Sequence, residues 1–270
     1  MFIIRLHKDG LKFGTINDIH VLAKSIFKTA MIDDCIKKNP FDFKCKDIVP
    51  NNTKLKVGLT KQQKESLLTF MKESKVYKKH LDMVTVLLET GLRISELAGL
   101  TKDDIDFIQH RIKVDHQLLI DKHGHYYVSP PKSVSGERYI PMTKEVEATL
   151  KHILQTRSQP KIEYIVDGYS GFIFLNKTGK PLYEACTICT MRHMKTAYNK
   201  VNKIPIIALT PHIFRHTFCS EKLNAGMNIK TLQYIMGHSK ADMTLNRYSH
   251  VDYSIVQDEM NRIDTSKLAK

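Results

Sequence analysis

The chain has 270 residues, of which 42% are hydrophobic and 26% are charged, and 42 lysines and arginines against 28 aspartates and glutamates give a net charge of +14. This composition is typical of a folded globular protein rather than a disordered one, and no apolar run approaches the roughly 18 residues of a membrane span. The charge indicates a polyanionic partner, either nucleic acid or an acidic membrane surface, although charge alone also fits a lysine-rich solvated surface.

The cysteines are few, odd in number and scattered, which favours free thiols in a reducing cytoplasm. They are Cys35, Cys45, Cys186, Cys189 and Cys219. Cys186 and Cys189 have the spacing of a zinc-ligand pair, but no second pair accompanies them and they lie in a helix-like run, so we expect no metal site. The N-terminal sequence lacks the apolar run and cleavage site of a signal peptide. We therefore expect a cytoplasmic protein.

The first predicted element is a helix over residues 14–34, because apolar residues recur there at helical spacing. The predicted apolar face consists of Ile16, Ile19, Leu22, Ile26, Phe27 and Ala30. Prolines at positions 40 and 50 break the pattern, and the polar, lysine-rich residues 50–58 are predicted to be a linker. The sequence thus predicts a boundary between residues 1–57 and residues 58–270.

The second unit opens at Thr60, which suits the N-cap of a helix beginning at Lys61, with Gln63 completing a capping box. A further helix over residues 80–89 is predicted to end at Gly91, because glycine is the common residue after a helix C-terminus. A short helix with the sequence ISELAGL follows at once.

Residues 105–141 contain short β-prone runs separated by turn residues. They predict antiparallel strands at 112–114, 126–128 and 138–140, with turns at 121–124 and 133–136. Helices are then predicted over residues 143–156, 183–201, 211–225, 229–236 and 252–263, with a loop-rich insert at 171–181. The predicted fold class is mainly α with a small antiparallel β-sheet, that is, α+β.

The segment LTPHIFRHTFCSEKLNAG, residues 209–226, has the strongest chemical signal. Thr210 suits the N-cap and Pro211 the first position of a helix that Gly226 ends. His212 and Arg215 are three residues apart and share a face near the helix start, where backbone N–H groups and the helix dipole favour an anion. This arrangement predicts a phosphate site; for this segment alone, an exposed basic helix face is an equally good interpretation.

Four further residues complete a pattern along the chain. Arg93 follows a glycine in TGLRISEL, and Lys132 lies at the edge of a predicted turn in PPKSVSGERYIP. His238 follows a glycine in MGHS, and Tyr248 lies beyond it in the same segment. Each alone is explained by a solvated charge or a half-buried core residue.

Taken in order, Arg, Lys, His-x-x-Arg, Gly-His and Tyr resemble the tyrosine recombinase family of the lambda-integrase type, over roughly residues 58–250. The motifs look most similar to integrases of conjugative transposons and temperate phages. The resemblance implies a tyrosine recombinase catalytic domain and a site-specific DNA recombinase that cleaves and rejoins strands through a 3′-phosphotyrosine intermediate, for integration and excision of a mobile element. The catalytic residues that it implies are Arg93, Lys132, His212, Arg215, His238 and Tyr248.

The chemistry of these residue types fits that implication. Two arginines hold the nonbridging phosphate oxygens in fork geometry without a metal. A tyrosine hydroxyl has a reference pKa of about 10, and a cluster of cations favours its anion. His212 accepts the phenol proton or hydrogen-bonds the phosphate, and Lys132 protonates the leaving 5′ oxygen. Tyr253 is the alternative nucleophile, and we interpret His216 as a packing residue.

We expect no cofactor, because the covalent intermediate retains the bond energy and rejoining then requires no ATP. The sequence contains no GxxxxGK[ST] run and no carboxylate cluster of the kind that two-metal nucleases use. The expected partners are double-stranded recombination-site DNA, further copies in a homotetramer, an excisionase and DNA-bending accessory proteins, with no membrane contact. The protein is expected to associate with the nucleoid when it acts.

The resemblance also concerns the two ends of the chain. The run from Gly14 to Phe43 resembles only the last helical part of a core-binding (SAM-like) domain. We therefore expect residues 1–57 to comprise a remnant of that domain and a linker, in an N-terminally shortened chain with weakened DNA binding. Residues 252–263 place Val256, Met260 and Ile263 on one helical face. We expect the tail, residues 252–270, to pack on a neighbouring protomer and hold the tetramer together; packing on its own domain is the alternative.

Three other functions fit parts of the sequence. A type IB topoisomerase shares the catalytic chemistry, but TGLRISEL and GHS favour a recombinase. A DNA-binding protein without enzymatic activity does not require a nucleophile. A metal protein that uses some of the thirteen histidines lacks support from an HExxH motif or a close Cys/His set.

Overall fold

The computed structural model describes residues 2–51, 58–131, 133–157, 160 and 162–238, and the structural statements below concern these residues. The chain divides into two compact units, Met1–Leu55 and Lys56–Lys270. The predicted catalytic residues Lys132 and Tyr248, the alternative Tyr253 and the predicted C-terminal helix lie outside the described residues. Whether residues 1–57 are a remnant of a core-binding domain stays a prediction.

In its described residues, the first unit contains two α-helices, α1 (Phe2–Lys8) and α2 (Phe13–Ile32), packed on a small apolar core. Helix α1 was not predicted, whereas α2 confirms the helix expected over residues 14–34. Its predicted face was wrong in part: Ile16 is buried, but Leu22 is 63% and Ile26 59% exposed. The buried face runs instead through Ile16 and His20, because the His20 ring packs on two phenylalanines and its Nε2 lies 3.1 Å from the Phe41 carbonyl oxygen.

The second unit is mostly helical, and its predicted helices are confirmed to within a few residues. The described helices are α3 (Lys61–Glu73), α4 (Leu81–Thr90), α5 (Ile94–Gly99), α6 (Lys144–Thr156), α7 (Glu184–Val201), α8 (Pro211–Asn224) and α9 (Ile229–Met236). The predicted capping box at Thr60 is confirmed, since its hydroxyl accepts from the Gln63 N–H and the Gln63 side chain accepts from the Thr60 N–H.

The strands form two small antiparallel sheets where a single three-stranded arrangement was expected. The strands are β1 (Ile105–Asp106), β2 (Arg111–Val114), β3 (Gln117–Ile120), β4 (Tyr126–Ser129) and β5 (Arg138–Pro141). One sheet has the order β1-β2-β5, with Ile112 opposite Ile140, and the other is the β3-β4 hairpin, with Leu118 opposite Val128. Strand β3 was not predicted because the run QLLI lacks the alternation and β-branched residues that identify a strand.

The core of the second unit is centred on α4, which packs against both α6 and α8. Six of its ten residues are buried. The confirmed fold class, mainly α with small antiparallel sheets, thus places the C-terminus of α4, the start of α5 and the length of α8 around one core. No described helix is long and apolar enough to cross a membrane.

Candidate active site

The start of helix α8 has the predicted local structure. The Thr210 hydroxyl accepts a hydrogen bond from the Ile213 N–H, and Pro211 occupies the first turn, where its missing N–H leaves no bond unmade. His212 is exposed in this first turn. Because the fixed φ of proline and the threonine cap define the helix start, the position of His212 follows from the local sequence.

Arg215, one turn further along α8, is buried, which rules out the exposed basic helix face that the sequence left open. Its Nη1 donates to the Gly91 carbonyl oxygen at 2.5 Å, and its Nη2 donates to the Met236 carbonyl oxygen. These carbonyls belong to the C-terminal turns of α4 and α9. The Arg215 guanidinium therefore joins the ends of two helices that are far apart in the sequence.

His238 contacts the same guanidinium, with its Nε2 at 3.0 Å from Arg215 Nη2. Because an arginine side chain only donates, Nε2 of His238 acts as the acceptor, which places the ring proton on Nδ1. The histidine follows Gly237, whose left-handed φ of +59° ends α9 where the predicted helix over residues 229–236 ends. The two predicted residues, Arg215 and His238, thus lie together.

Arg93 immediately precedes α5, at its N-cap. Its Nη1 donates to Glu96 Oε1 at 2.6 Å, and its backbone N–H donates to Glu96 Oε2 at 2.8 Å. Its Nη2 donates to the Gly237 carbonyl oxygen at 3.0 Å, next to His238. The Arg93 side chain remains 33% exposed, so this arginine reaches the surface of the same cluster that contains Arg215.

Glu96 and Arg138 are two site residues that the sequence analysis did not identify. Both are buried, and Arg138 Nη2 and Nη1 donate to the two carboxylate oxygens of Glu96 at 2.9 and 3.1 Å. Signals for both exist in the sequence. Glu96 stands at the third helical position, where a carboxylate accepts from the N-cap N–H, and Arg138 shares the core-facing side of strand β5 with Ile140.

The charge in this cluster is unbalanced. Within the described part of the chain, the guanidinium groups of Arg93, Arg138 and Arg215 surround one carboxylate, that of Glu96. Burial would raise the pKa of Glu96, but the hydrogen bonds and charge of Arg138, with the charges of the other two arginines, outweigh it and lower the pKa to about 2. Burial and the neighbouring arginines lower the pKa of Arg215 to about 9.

An open cleft of about 340 Å³ adjoins this cluster. Arg93, Glu96 and His212 line it, together with Pro131 and Ser133, the residues on either side of Lys132. Helix α8, the start of α5 and the turn after β4 thus meet at one cleft. Of the six predicted catalytic residues, the four described ones lie in or directly behind it.

A second group of polar residues, Asp104, Asp115 and His116, has metal-ligating atoms within 4.8 Å of one another. These atoms already have protein partners: Asp104 accepts from the backbone N–H and hydroxyl of Thr101, and the His116 ring contacts the Gly99 carbonyl and Asp115. The group therefore fastens strand β3 to the end of α5. All five cysteines lie in the described residues, and none of them forms a disulfide bond.

Comparisons with known proteins identify relatives of this chain. A family model described as the phage integrase family matches residues 58–254. The transposase from transposon Tn916 of Enterococcus faecalis is 43% identical over 264 residues, which is 98% of this chain and 65% of that protein. A tyrosine recombinase XerC-like protein of Caldanaerobacter subterraneus is 26% identical over 97% of this chain and 68% of its own length.

Among solved structures, the Tn1549 transposon integrase in complex with transposon right end DNA matches with a TM-score of 0.91 and 44% identity. The match covers 97% of this chain and 83% of that one. The fold expected from the resemblance is therefore confirmed. The chain spans about two thirds, 65%, of the length of the Tn916 transposase.

Proposed function

Because the chain belongs to the phage integrase family of tyrosine recombinases, we propose that it is a site-specific DNA recombinase that integrates and excises a mobile element. The observation that carries the proposal is the cluster of three guanidinium groups around a single carboxylate, beside a cleft that His212 also lines. A surplus of fixed positive charge at a cleft suits the phosphodiester group, whose transition state carries extra negative charge on its nonbridging oxygens.

In the proposed reaction, Arg93 and Arg215 stabilise the nonbridging oxygens, and the Tyr248 hydroxyl oxygen attacks the phosphorus. His212 takes the phenol proton. The bond between phosphorus and the 5′ oxygen breaks, its electron pair leaves with that oxygen, and Lys132 supplies the proton. The resulting 3′-phosphotyrosine is attacked by the 5′-hydroxyl of a second strand, which restores the phosphodiester and frees the tyrosine, with no metal or ATP.

His238 has a positioning role in this proposal. Its ring hydrogen-bonds the Arg215 guanidinium, and the carbonyl of the preceding Gly237 accepts from Arg93. The Gly237-His238 turn thus contacts both Arg93 and Arg215. This supports the assignment of the Gly-His pair to the reaction centre.

The proposed substrate is double-stranded recombination-site DNA, and the relatives support this choice, since the Tn1549 integrase binds transposon-end and circular-intermediate DNA. We further propose a homotetramer on DNA held by residues 252–270, with an excisionase and DNA-bending proteins as accessory partners at the nucleoid. Residues 1–57 are proposed to belong to a core-binding domain.

Replacement of the nucleophile tests the proposal. Nicked duplexes that trap the wild-type chain covalently are selected from a random-sequence library and then incubated with Tyr248→Phe. We expect no covalent complex on a denaturing gel, because phenylalanine has no oxygen to form the phosphotyrosine bond.

Tyr253→Phe is the matched control and should form covalent complexes at the wild-type rate. Complexes formed by Tyr248→Phe at the wild-type level would refute the assignment. Supercoil relaxation without joining of two sites by the wild-type chain would instead favour a type IB topoisomerase.

A further inference from the structure

Arg138 is the least accessible charged side chain in the cluster, with none of its side chain exposed. It pairs with Glu96 and is not one of the predicted catalytic residues. Its guanidinium makes four hydrogen bonds: two to Glu96, one to the Ile235 carbonyl oxygen at 2.6 Å and one to the Gly136 carbonyl oxygen at 2.9 Å. These partners belong to three segments that are distant in sequence, so one side chain joins them.

Two of those segments hold residues of the proposed reaction. Glu96 accepts from both the side chain and the backbone of Arg93. Ile235 lies in the last turn of α9, just before Gly237 and His238. A Cβ added to Gly237 would lie 2.9 Å from Arg138 Nη1, so the guanidinium is packed directly against the backbone of that turn.

The third segment is the turn that contains Lys132 in its sequence. The Gly136 N–H donates to the Ser133 carbonyl oxygen at 2.8 Å, and a Cβ on Gly136 would lie 2.3 Å from the Pro131 side chain. Gly136 therefore lies against Pro131, the residue before Lys132, and is hydrogen-bonded to Ser133, the residue after it. Since Pro131 and Ser133 line the cleft, the Gly136 carbonyl connects Arg138 to the rim of the cleft.

We propose that Arg138 is a positioning residue for leaving-group protonation: it fastens the turn around Lys132 to the carboxylate that holds Arg93. The inference rests on the proposed function. A planar guanidinium is required because its five N–H donors point in fixed directions, and here they reach two carboxylate oxygens and two carbonyls at once. A lysine keeps the charge but has three donors at one point, so it cannot hold all three segments.

The test compares two leaving groups. Nicked duplexes selected with the wild-type chain are prepared with either the normal bridging 5′ oxygen or a bridging 5′ sulfur at the scissile phosphate. A thiol has a pKa of about 8.5, so the thiolate leaves without a proton, whereas an alkoxide needs one. Single-turnover formation of the covalent complex is measured for wild type and Arg138→Lys.

We expect Arg138→Lys to cleave the oxygen substrate about 100-fold more slowly, because an error of about 1 Å in placing a catalytic group has an effect of that size. On the sulfur substrate, its rate should return to within about tenfold of wild type, since the proton is no longer needed. Arg111→Lys is the matched control: Arg111 lies on the neighbouring strand and pairs with Asp106, away from Glu96. It should cleave both substrates at the wild-type rate.

Gly136→Ala provides the same test without touching a charge, because its methyl group would push the turn away from Pro131. It should show the same rescue by sulfur, and it decides the outcome if Arg138→Lys does not fold. An unchanged rate on the oxygen substrate, or equal slowing on both substrates, would overturn the role of Arg138. If no duplex in the library traps the wild-type chain covalently, the proposed function itself would be overturned.

Discussion

Two clusters of charge join distant helices in the second unit, and they differ in their balance. Near the end of α4, Lys64 Nζ lies 2.8 Å from both Glu89 Oε1 and Glu221 Oε2, and Lys222 lies 3.9 Å from Glu89, so two cations face two carboxylates. Around Glu96, in the described part of the chain, three guanidinium groups face one carboxylate.

We infer that the difference separates a structural cluster from the proposed reaction centre. A buried charge is costly unless it is paired, so a cluster that serves stability alone is expected to be neutral, as the one at Lys64 is. The cluster around Glu96 retains an excess of positive charge beside a cleft, and burial, with the charges of the neighbouring arginines, lowers the pKa of Arg215 to about 9. An anion such as a phosphodiester would balance that excess.

The largest expected effect on stability concerns Glu96, whose carboxylate offsets part of the positive charge of the three arginines. The pKa of Glu96 is about 2, against an ordinary value of 4.5, so the native state favours the ionised form. Its contribution to the free energy of unfolding is complete above pH 4.5 and is lost as the pH falls toward 2. We expect Glu96→Gln to destabilise the protein by about 3 kcal/mol at pH 7 in urea unfolding.

The difference in the free energy of unfolding between wild type and Glu96→Gln should become smaller below pH 4.5. Glu89→Gln is the matched control from the balanced cluster, because the Glu89 carboxylate also faces two cations, Lys64 and Lys222. A gap for Glu96→Gln that is the same at pH 3 and pH 7 would show that the carboxylate is not held ionised by the arginines.

Local sequence rules predicted the helix ends around the candidate site better than the contacts that hold it together. The starts of α5 and α8 and the Gly-His turn follow from caps, proline and glycine, which act within a few residues. The catalytic roles of Arg93, Arg215 and His238 were implied by the family resemblance and stay predictions. Arg138 acts across 97 residues to Ile235 and 42 to Glu96. Such partners are determined by the packing of α5, β5 and α9, which periodicity does not specify.

The same limit explains the errors in the first unit and in the sheets. His20 replaces an apolar residue on the buried face of α2 because the Phe41 carbonyl and nearby rings satisfy it, a partner 21 residues away. The second sheet arises because β3 pairs with β4 and not with β2. Both outcomes depend on which segments meet, whereas the helix limits depend on local sequence.

Arg215 tests the functional side of the comparison. In Arg215→Lys the charge stays but the fork is lost, and we expect covalent cleavage of nicked DNA to fall about 100-fold, roughly 2.7 kcal/mol in the barrier. Single-turnover rates measure the effect, with DNA affinity determined in parallel. A rate within about threefold of wild type would mean that a point charge suffices, and that the fork geometry of Arg215 is not used in the transition state.

The smallest effect, and the sharpest contrast, is expected at Lys64. Lys64→Met leaves Glu89 and Glu221 facing each other with only Lys222 close to one of them, so the free energy of unfolding should fall by about 2 kcal/mol, the size of lost hydrogen bonds to charged groups. The cleavage rate should remain that of wild type, because this cluster has no excess charge to offer a phosphate. Adding Glu221→Gln to Lys64→Met removes one of the two carboxylates that lost Lys64 and should recover part of the loss. If Lys64→Met instead slowed cleavage as strongly as Arg215→Lys without a matching loss of stability, charge balance would not distinguish the two clusters.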